Sequence, residues 1–154
     1  MYKVDLWVWT DSREQASSLK GYAYSIETKL ANGKIHRVAV DNSIGAYEDS
    51  GMEGTWNKVI LVAITEAVGR FKTNAEVIIH SENRWVLNMI KHFLGKWEER
   101  GFLKANGEEL ENVEEWRKIA KASHSLKIEI DPVGYDRSPL LYKRVFADQI
   151  PDEV

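Results

Sequence analysis

Apolar residues recur at every second position over residues 3–10, where Val4, Leu6 and Val8 alternate with Asp5 and two tryptophans. Residues 21–26 and 35–40 are two further short stretches rich in apolar and aromatic side chains. A period of two is typical of β-strands, so the pattern predicts three strands. The pair Asn32-Gly33 lies between the last two and favours a hairpin turn, because both residue types tolerate a positive φ.

The spacing changes to a helical one after a polar, glycine-containing loop at residues 41–55. Apolar residues at i, i+4, i+7, i+8 and i+11 predict a helix over residues 57–71. Residues 76–80 form a short apolar run, which predicts a buried strand. Ser81 is the expected N-cap of a second helix, whose apolar stripe extends to residue 97, and Gly101 is expected to end it.

Three further elements complete the predicted order. Asn112, with Glu115 three residues later, predicts a capped helix, and alternation over residues 126–130 predicts a last strand. Ser138 followed by Pro139 predicts a C-terminal helix. The order β-β-β-α-β-α-α-β-α, without repeats or linkers, indicates one α/β domain over residues 1–154 with a mixed sheet.

Composition narrows the classes of protein. The chain has no cysteine, which excludes disulfide bonds and thiolate metal sites. It shows no signal peptide and no apolar run of the roughly 20 residues needed to cross a membrane, so we expect a cytoplasmic protein without membrane contact. The net charge of −3 argues mildly against a nucleic-acid partner, because phosphate-binding proteins usually present a basic surface.

Several motifs resemble those of one known family. Residues 55–58, Thr-Trp-Asn-Lys, resemble the Asn-Asn-Arg approach to the first helix of ribonucleases H. Residues 96–102, Lys-Trp-Glu-Glu-Arg-Gly-Phe, and 112–116, Asn-Val-Glu-Glu-Trp, closely resemble the "handle" of bacterial ribonuclease HI. The resemblance implies the ribonuclease H-like fold: an α/β domain with a five-stranded mixed sheet, its first three strands antiparallel, flanked by helices.

The same resemblance implies a chemistry and its site. The family cuts the RNA of RNA–DNA hybrids with two Mg²⁺ ions held by four carboxylates, a geometry that clamps the attacking and leaving oxygens. Matched position by position, this chain has Asp11 after its first strand and Glu82 after its fourth, but Ile60 and Val145 at the other two positions. Tyr135 is nearest to the place of the family's catalytic histidine.

The site residues therefore allow two interpretations. Asp11 and Glu82 are remnants of a catalytic and metal site that binds no cofactor, or they bind Mg²⁺ or Mn²⁺ weakly. Asp11 also has an ordinary interpretation as a strand-end acid, and Glu82 as an acid that complements a helix dipole. A carboxylate buried beside Ile60 would be desolvated, so Asp11 should either have a raised pKa or remain hydrated.

The resemblance also implies candidate contacts to nucleic acid at Trp56, Asn57, Lys58, Arg84 and Arg137. The handle, in contrast, is acidic, and only Arg100 and Lys104 oppose its carboxylates. We expect this surface to avoid a phosphate backbone, and it is a candidate for binding protein. Its acidic residues are Glu98, Glu99, Glu108, Glu109, Glu111, Glu114 and Glu115.

Three functional hypotheses follow. The first is a ribonuclease H-like pseudoenzyme that has lost hybrid cleavage and binds a protein or nucleoprotein partner, as a mobile-element protein or a non-catalytic subunit would. The second is an active, divergent Mg²⁺- or Mn²⁺-dependent nuclease that combines Asp11 and Glu82 with a third acid: Glu66, Asp136 or Asp148. The third is a non-cleaving RNA or DNA binder that uses Lys58, Arg84, Arg137, Lys143 and Arg144.

Overall fold

Seven strands and four helices make up the part of the chain that the structure, a computed structural model, describes: residues 2–42 and 52–131. The strands are β1 (Tyr2–Thr10), β2 (Ser18–Lys20), β3 (Tyr22–Lys29), β4 (Ile35–Asn42), β5 (Met52–Gly54), β6 (Ala75–His80) and β7 (Leu126–Ile130). The helices are α1 (Trp56–Val68), α2 (Arg84–His92), α3 (Leu94–Glu99) and α4 (Val113–Ala122).

Five of the strands form one mixed sheet in the order β4-β3-β1-β6-β7. β1, β3 and β4 pair antiparallel, whereas β6 is parallel to both β1 and β7. The predicted five-stranded mixed sheet, with its first three long strands antiparallel, is therefore confirmed. The predicted turn at Asn32-Gly33 is also confirmed, because Gly33 has a φ of +82° and its N–H donates to Leu30.

The core lies between this sheet and the helices. Val4, Leu6 and Val8 project from β1 and are fully buried, as the alternating pattern predicts. Helix α1 buries seven residues, among them Ile60 and Ile64, and Trp116 of α4 is the largest fully buried side chain among the described residues. Helix α1 begins at Trp56, one residue before the predicted start, with Thr55 accepting a hydrogen bond from the Lys58 N–H, and it ends at Val68 instead of residue 71.

The predicted second helix is wrong in two details. Its N-cap is Asn83, not Ser81, because the Asn83 side chain accepts from the Val86 N–H while Ser81 Oγ accepts from the Asn83 N–H. The helix is also interrupted at Phe93, where the backbone φ of −122° separates α2 from α3. The apolar stripe continues across the break, which is why periodicity alone does not reveal it.

Two other predictions concern helix ends. Gly101 has the expected left-handed conformation, with a φ of +69°, and Phe102 follows with a φ of +62°. Asn112 lies at the N-cap of α4, as predicted, but its backbone is left-handed and its side chain makes no capping hydrogen bond. Glu115, its expected partner in the cap, forms an ion pair with Lys58 instead.

The sequence pattern did not predict the two short strands, β2 and β5, which form a separate two-stranded sheet. Lys20 joins them from the interior, since its fully buried ammonium group donates to Gly54 O, Ser18 Oγ and Ala16 O at 2.6, 2.8 and 3.0 Å. The predicted helix from Ser138 lies outside the described residues. Within the described ranges, no helix has the length and apolar character of a membrane span.

Candidate functional site

Asp11 lies directly after β1 and ties this strand end to its neighbour. Its Oδ1 accepts from the Gly21 N–H at 3.1 Å, and its own N–H donates to Gly21 O at 3.2 Å. The side chain is exposed, although Ile60 is only 1% exposed. The Asp11 carboxylate is therefore open to solvent and not buried beside Ile60.

Glu82 follows β6, as predicted, and both of its carboxylate oxygens contact one arginine. Arg13 Nη2 donates to Glu82 Oε1 at 2.8 Å, and Arg13 Nε lies 2.8 Å from Oε2. This is the two-point geometry in which a planar guanidinium matches a carboxylate. The Glu82 side chain is 14% exposed and that of Arg13 is 64% exposed. Solvent therefore reaches the arginine but has little access to the carboxylate.

The remaining predicted acids do not supply a third oxygen ligand within the described ranges. Ile60 occupies the helix position and belongs to the core. Glu66, farther along α1, accepts a hydrogen bond from the Tyr22 hydroxyl at 2.7 Å. Val145 and Tyr135, together with the alternative acids Asp136 and Asp148, lie outside the described residues.

A chain of side-chain amides connects the loop after β1 to the starts of two helices. Asn57 Oδ1 accepts from Gln15 Nε2 and from Asn83 Nδ2, both at 2.9 Å. The Asn57 N–H donates to Gln15 Oε1 at 3.3 Å. Asn83 is buried and caps α2, so Asn57 couples the position of α1 to that of α2. This network fixes the loop that carries Arg13 next to Glu82.

The other candidate nucleic-acid contacts make intramolecular bonds. The Lys58 ammonium pairs with Glu115 at 3.0 Å, and Arg84 donates to Asp131 O at 2.6 Å. Trp56 is partly buried against the core, and its backbone N–H donates to the backbone carbonyl of Glu14. Arg137, Lys143 and Arg144 lie outside the described residues. A role for these side chains in binding nucleic acid stays a prediction.

An open groove of about 470 Å³ lies beside the amide network. We call it the amide groove, and it is lined by Gln15, Thr55, Asn57, Trp85, Glu111 and Asn112. The Trp85 side chain is 49% exposed, and its ring meets the buried Trp116 edge-on at a centroid distance of 6.4 Å.

Sequence reasoning missed Arg13, Gln15 and Trp85. A signal existed for Trp85, because it falls next to the apolar stripe of α2 and not on it, and a large apolar residue on a polar face is unusual. Arg13 gave no signal, since its contact with Glu82 spans 69 residues of sequence.

His80, the last residue of β6, lies between two carboxylates and an indole ring. Its two ring nitrogens lie 2.8 Å from Asp131 Oδ2 and 2.7 Å from Asp5 Oδ1, and its ring stacks on Trp7 at a centroid distance of 4.0 Å. Asp5 and Trp7 belong to β1, and the Cα register places Trp7 opposite His80. The cluster links β1, β6 and the end of β7.

The described residues do not fit a two-metal centre. Mg²⁺ favours six oxygen ligands in octahedral geometry. Glu82 already contacts a guanidinium through both oxygens, and Ile60 offers no oxygen atom. Within residues 2–42 and 52–131, no group of three or more histidine or acidic side chains is arranged to hold a metal ion.

Known proteins are similar to this chain in sequence and, more extensively, in fold. No family model matches the chain. Ribonuclease H of Acetivibrio thermocellus is 32% identical over 84 residues, which cover 53% of this chain and 57% of that protein. Ribonuclease H of Acidovorax sp. is 27% identical over 70 residues, 46% of this chain and 47% of that protein. The chain thus spans 57% and 47% of the lengths of these two relatives.

Solved structures show the same architecture. The prototype foamy virus RNase H domain superposes with a TM-score of 0.64 at 13% identity, covering 96% of this chain and 89% of that one. The foamy viral protease-reverse transcriptase in complex with an RNA/DNA hybrid gives a TM-score of 0.66 at 12% identity, covering 94% of this chain and 19% of that one. Identities this low establish the fold and carry no activity with them.

Proposed function

We propose that this chain is a ribonuclease H-like protein that binds a nucleoprotein partner without cleaving nucleic acid. The observation that carries the proposal is the two-point contact between Arg13 and Glu82. A guanidinium in this position supplies the positive charge that a metal ion would otherwise bring, and it uses both carboxylate oxygens. A divalent cation would have to displace Arg13 before it could bind Glu82.

The buried Ile60 supports the same proposal. Two-metal hydrolysis places cations about 4 Å apart so that both reacting oxygens are stabilised. That arrangement needs carboxylates that bridge and separate the metals. The hydrocarbon side chain of Ile60, which is 1% exposed, cannot bind a metal ion and packs in the core. Electrostatic stabilisation is commonly the largest contribution to such catalysis, so its loss should leave little turnover.

The amide groove is the surface that we assign to the nucleic-acid component. Side-chain amides and an exposed indole can contact sugars and bases by hydrogen bonding and stacking, and neither contact requires a basic surface. This suits a chain with a net charge of −3. The foamy viral structure, which is in complex with an RNA/DNA hybrid, gives a precedent for this fold. The acidic handle is the surface that we assign to the protein component.

Hybrid cleavage by the wild-type chain and by Asp11→Asn tests the proposal directly. A labelled RNA–DNA hybrid is incubated with each protein in Mg²⁺ and separately in Mn²⁺, which tolerates poorer coordination. We expect no cleavage in Mg²⁺ and at most a trace in Mn²⁺, equal for the two proteins. If the wild-type chain cleaves and Asp11→Asn does not, the chain is an active, divergent nuclease and the proposal is wrong.

A further inference from the structure

A second groove lies between the end of α1 and the C-terminal half of α4. Its volume is about 350 Å³. The side chains of Val68, Phe71 and Leu126 give it apolar walls, and Lys118 and Lys121 stand on its rim. We call it the basic groove. Nothing in the proposed function uses it.

The two rim lysines are available for an external partner. They lie three residues apart on α4, so they are neighbours on one face of the helix. Both are exposed, and within residues 2–42 and 52–131 neither ammonium group makes a hydrogen bond or an ion pair. Because the groove has apolar walls and two lysines at its rim, it favours a ligand that carries both negative charge and an apolar side chain.

That combination occurs in this protein at residues 101–111, which we call the acidic bend. Leu103 is 40% exposed there, and it is paired through a β-bridge with Glu109. The backbone N–H of Lys104 donates to the backbone carbonyl of Glu108. Gly107, with a φ of +86°, lies in the turn between these two residues. The bend therefore presents one apolar side chain beside Glu108 and Glu109, both of which are exposed.

We propose that the acidic bend of one copy of this chain docks into the basic groove of a second copy. The two surfaces cannot meet within one molecule, because the bend leads into the N-terminus of α4 and the lysines lie toward its C-terminus. A helix of this length spans about 15 Å. Phosphate backbones offer no apolar anchor, so a protein segment suits the groove better than nucleic acid does. Contact between two different surfaces makes the association head-to-tail.

Sedimentation velocity over a range of concentrations tests the association. We expect wild-type protein to self-associate, and K118E/K121E to do so at least about tenfold more weakly, because like charges would then face each other. The control, K29E/K91E, changes the net charge equally at exposed lysines outside the groove and should behave as wild type. Wild-type protein that stays monomeric throughout would overturn the proposal, as would equal weakening by both variants.

A mixing experiment identifies the two surfaces. E108K/E109K gives a basic bend and K118E/K121E gives an acidic groove, so neither should self-associate. Mixed in equal amounts, they should associate with each other, because every bend then faces a groove of opposite charge. Failure of the mixture to associate would overturn the pairing. If K118E/K121E loses hybrid binding but still self-associates, the groove serves nucleic acid and the proposal is likewise wrong.

Discussion

Arg13 and Glu82 are 69 residues apart in sequence and meet through two contacts of 2.8 Å each. One lies in the loop after β1 and the other in the loop after β6, and the parallel pairing of these strands brings their carboxyl ends together. In this fold, adjacent parallel strands can place several carboxylates around a metal ion. Here the same strand ends place a carboxylate beside a guanidinium.

Removing the guanidinium should open Glu82 to cations. We expect Arg13→Ala to change the free energy of unfolding by less than about 1 kcal/mol, because the arginine is largely exposed and such pairs contribute little to stability. In millimolar Mn²⁺, however, the melting temperature of Arg13→Ala should rise more than that of the wild-type chain. Calorimetry with and without Mn²⁺ measures this difference.

The double variant R13A/E82Q is the control for that experiment, because it lacks the carboxylate that the metal would bind. It should show no greater Mn²⁺ response than the wild type. An equal response from wild type and Arg13→Ala would mean that Arg13 does not shield Glu82.

Trp85 should dominate binding in the amide groove. Stacking of a base on an aromatic ring contributes about 1–3 kcal/mol, so Trp85→Ala should weaken binding of a short hybrid by roughly tenfold or more. Phe93→Ala is the matched control, since Phe93 is 40% exposed and lies outside the groove. Fluorescence anisotropy of a labelled hybrid gives both affinities. If the two substitutions weakened binding equally, the amide groove would not be the surface that binds the hybrid.

The acidic handle should oppose hybrid binding. We expect the wild-type chain to bind a 20-base-pair hybrid more weakly than about 1 μM at low salt, because carboxylates repel the phosphate backbone. Reversing charge with E108K/E109K should tighten binding, and added salt should reduce that gain. A filter-binding titration decides the matter. Submicromolar wild-type affinity that E108K/E109K weakens would show that the handle grips the hybrid.

Lys20 should contribute substantially to stability. Lys20→Met keeps the aliphatic stem but leaves Gly54 O, Ser18 Oγ and Ala16 O without their shared donor. Loss of a charged hydrogen-bonding group in the interior should cost about 2 kcal/mol or more. Leu19→Met, at a neighbouring position that is 56% exposed, should cost almost nothing. Urea denaturation compares the two, and equal midpoints would contradict the assigned role.

Periodic patterns predicted those parts of the fold in which one face is buried. β1 alternates and α1 repeats at helical spacing because Val8 and Ile64 each face the same core. The break at Phe93 and the left-handed Asn112 were not predictable, because both depend on how α3 and α4 pack and not on local spacing. Short strands such as β2 carry too few residues to show a period.

The candidate site was predictable only in part, for a related reason. The resemblance to ribonucleases H indicated Glu82 and Ile60, because the matching positions could be found along the chain. What surrounds Glu82 comes from a loop elsewhere in the sequence, and polar contacts between distant loops leave no periodic trace. The contact between Arg13 and Glu82, on which the proposed function rests, was therefore visible only in three dimensions.

Lys20 and Arg13 share a property that a bound ion lacks. Both cationic side chains belong to the segment between β1 and β3, one buried among oxygens and the other set against Glu82. Because each is covalently part of the chain, its local concentration is fixed by the fold and has no dissociation equilibrium. Chelators cannot remove these charges, and dilution or a poor metal supply cannot lower their occupancy. The positive charge that faces Glu82 is therefore a permanent part of the polypeptide.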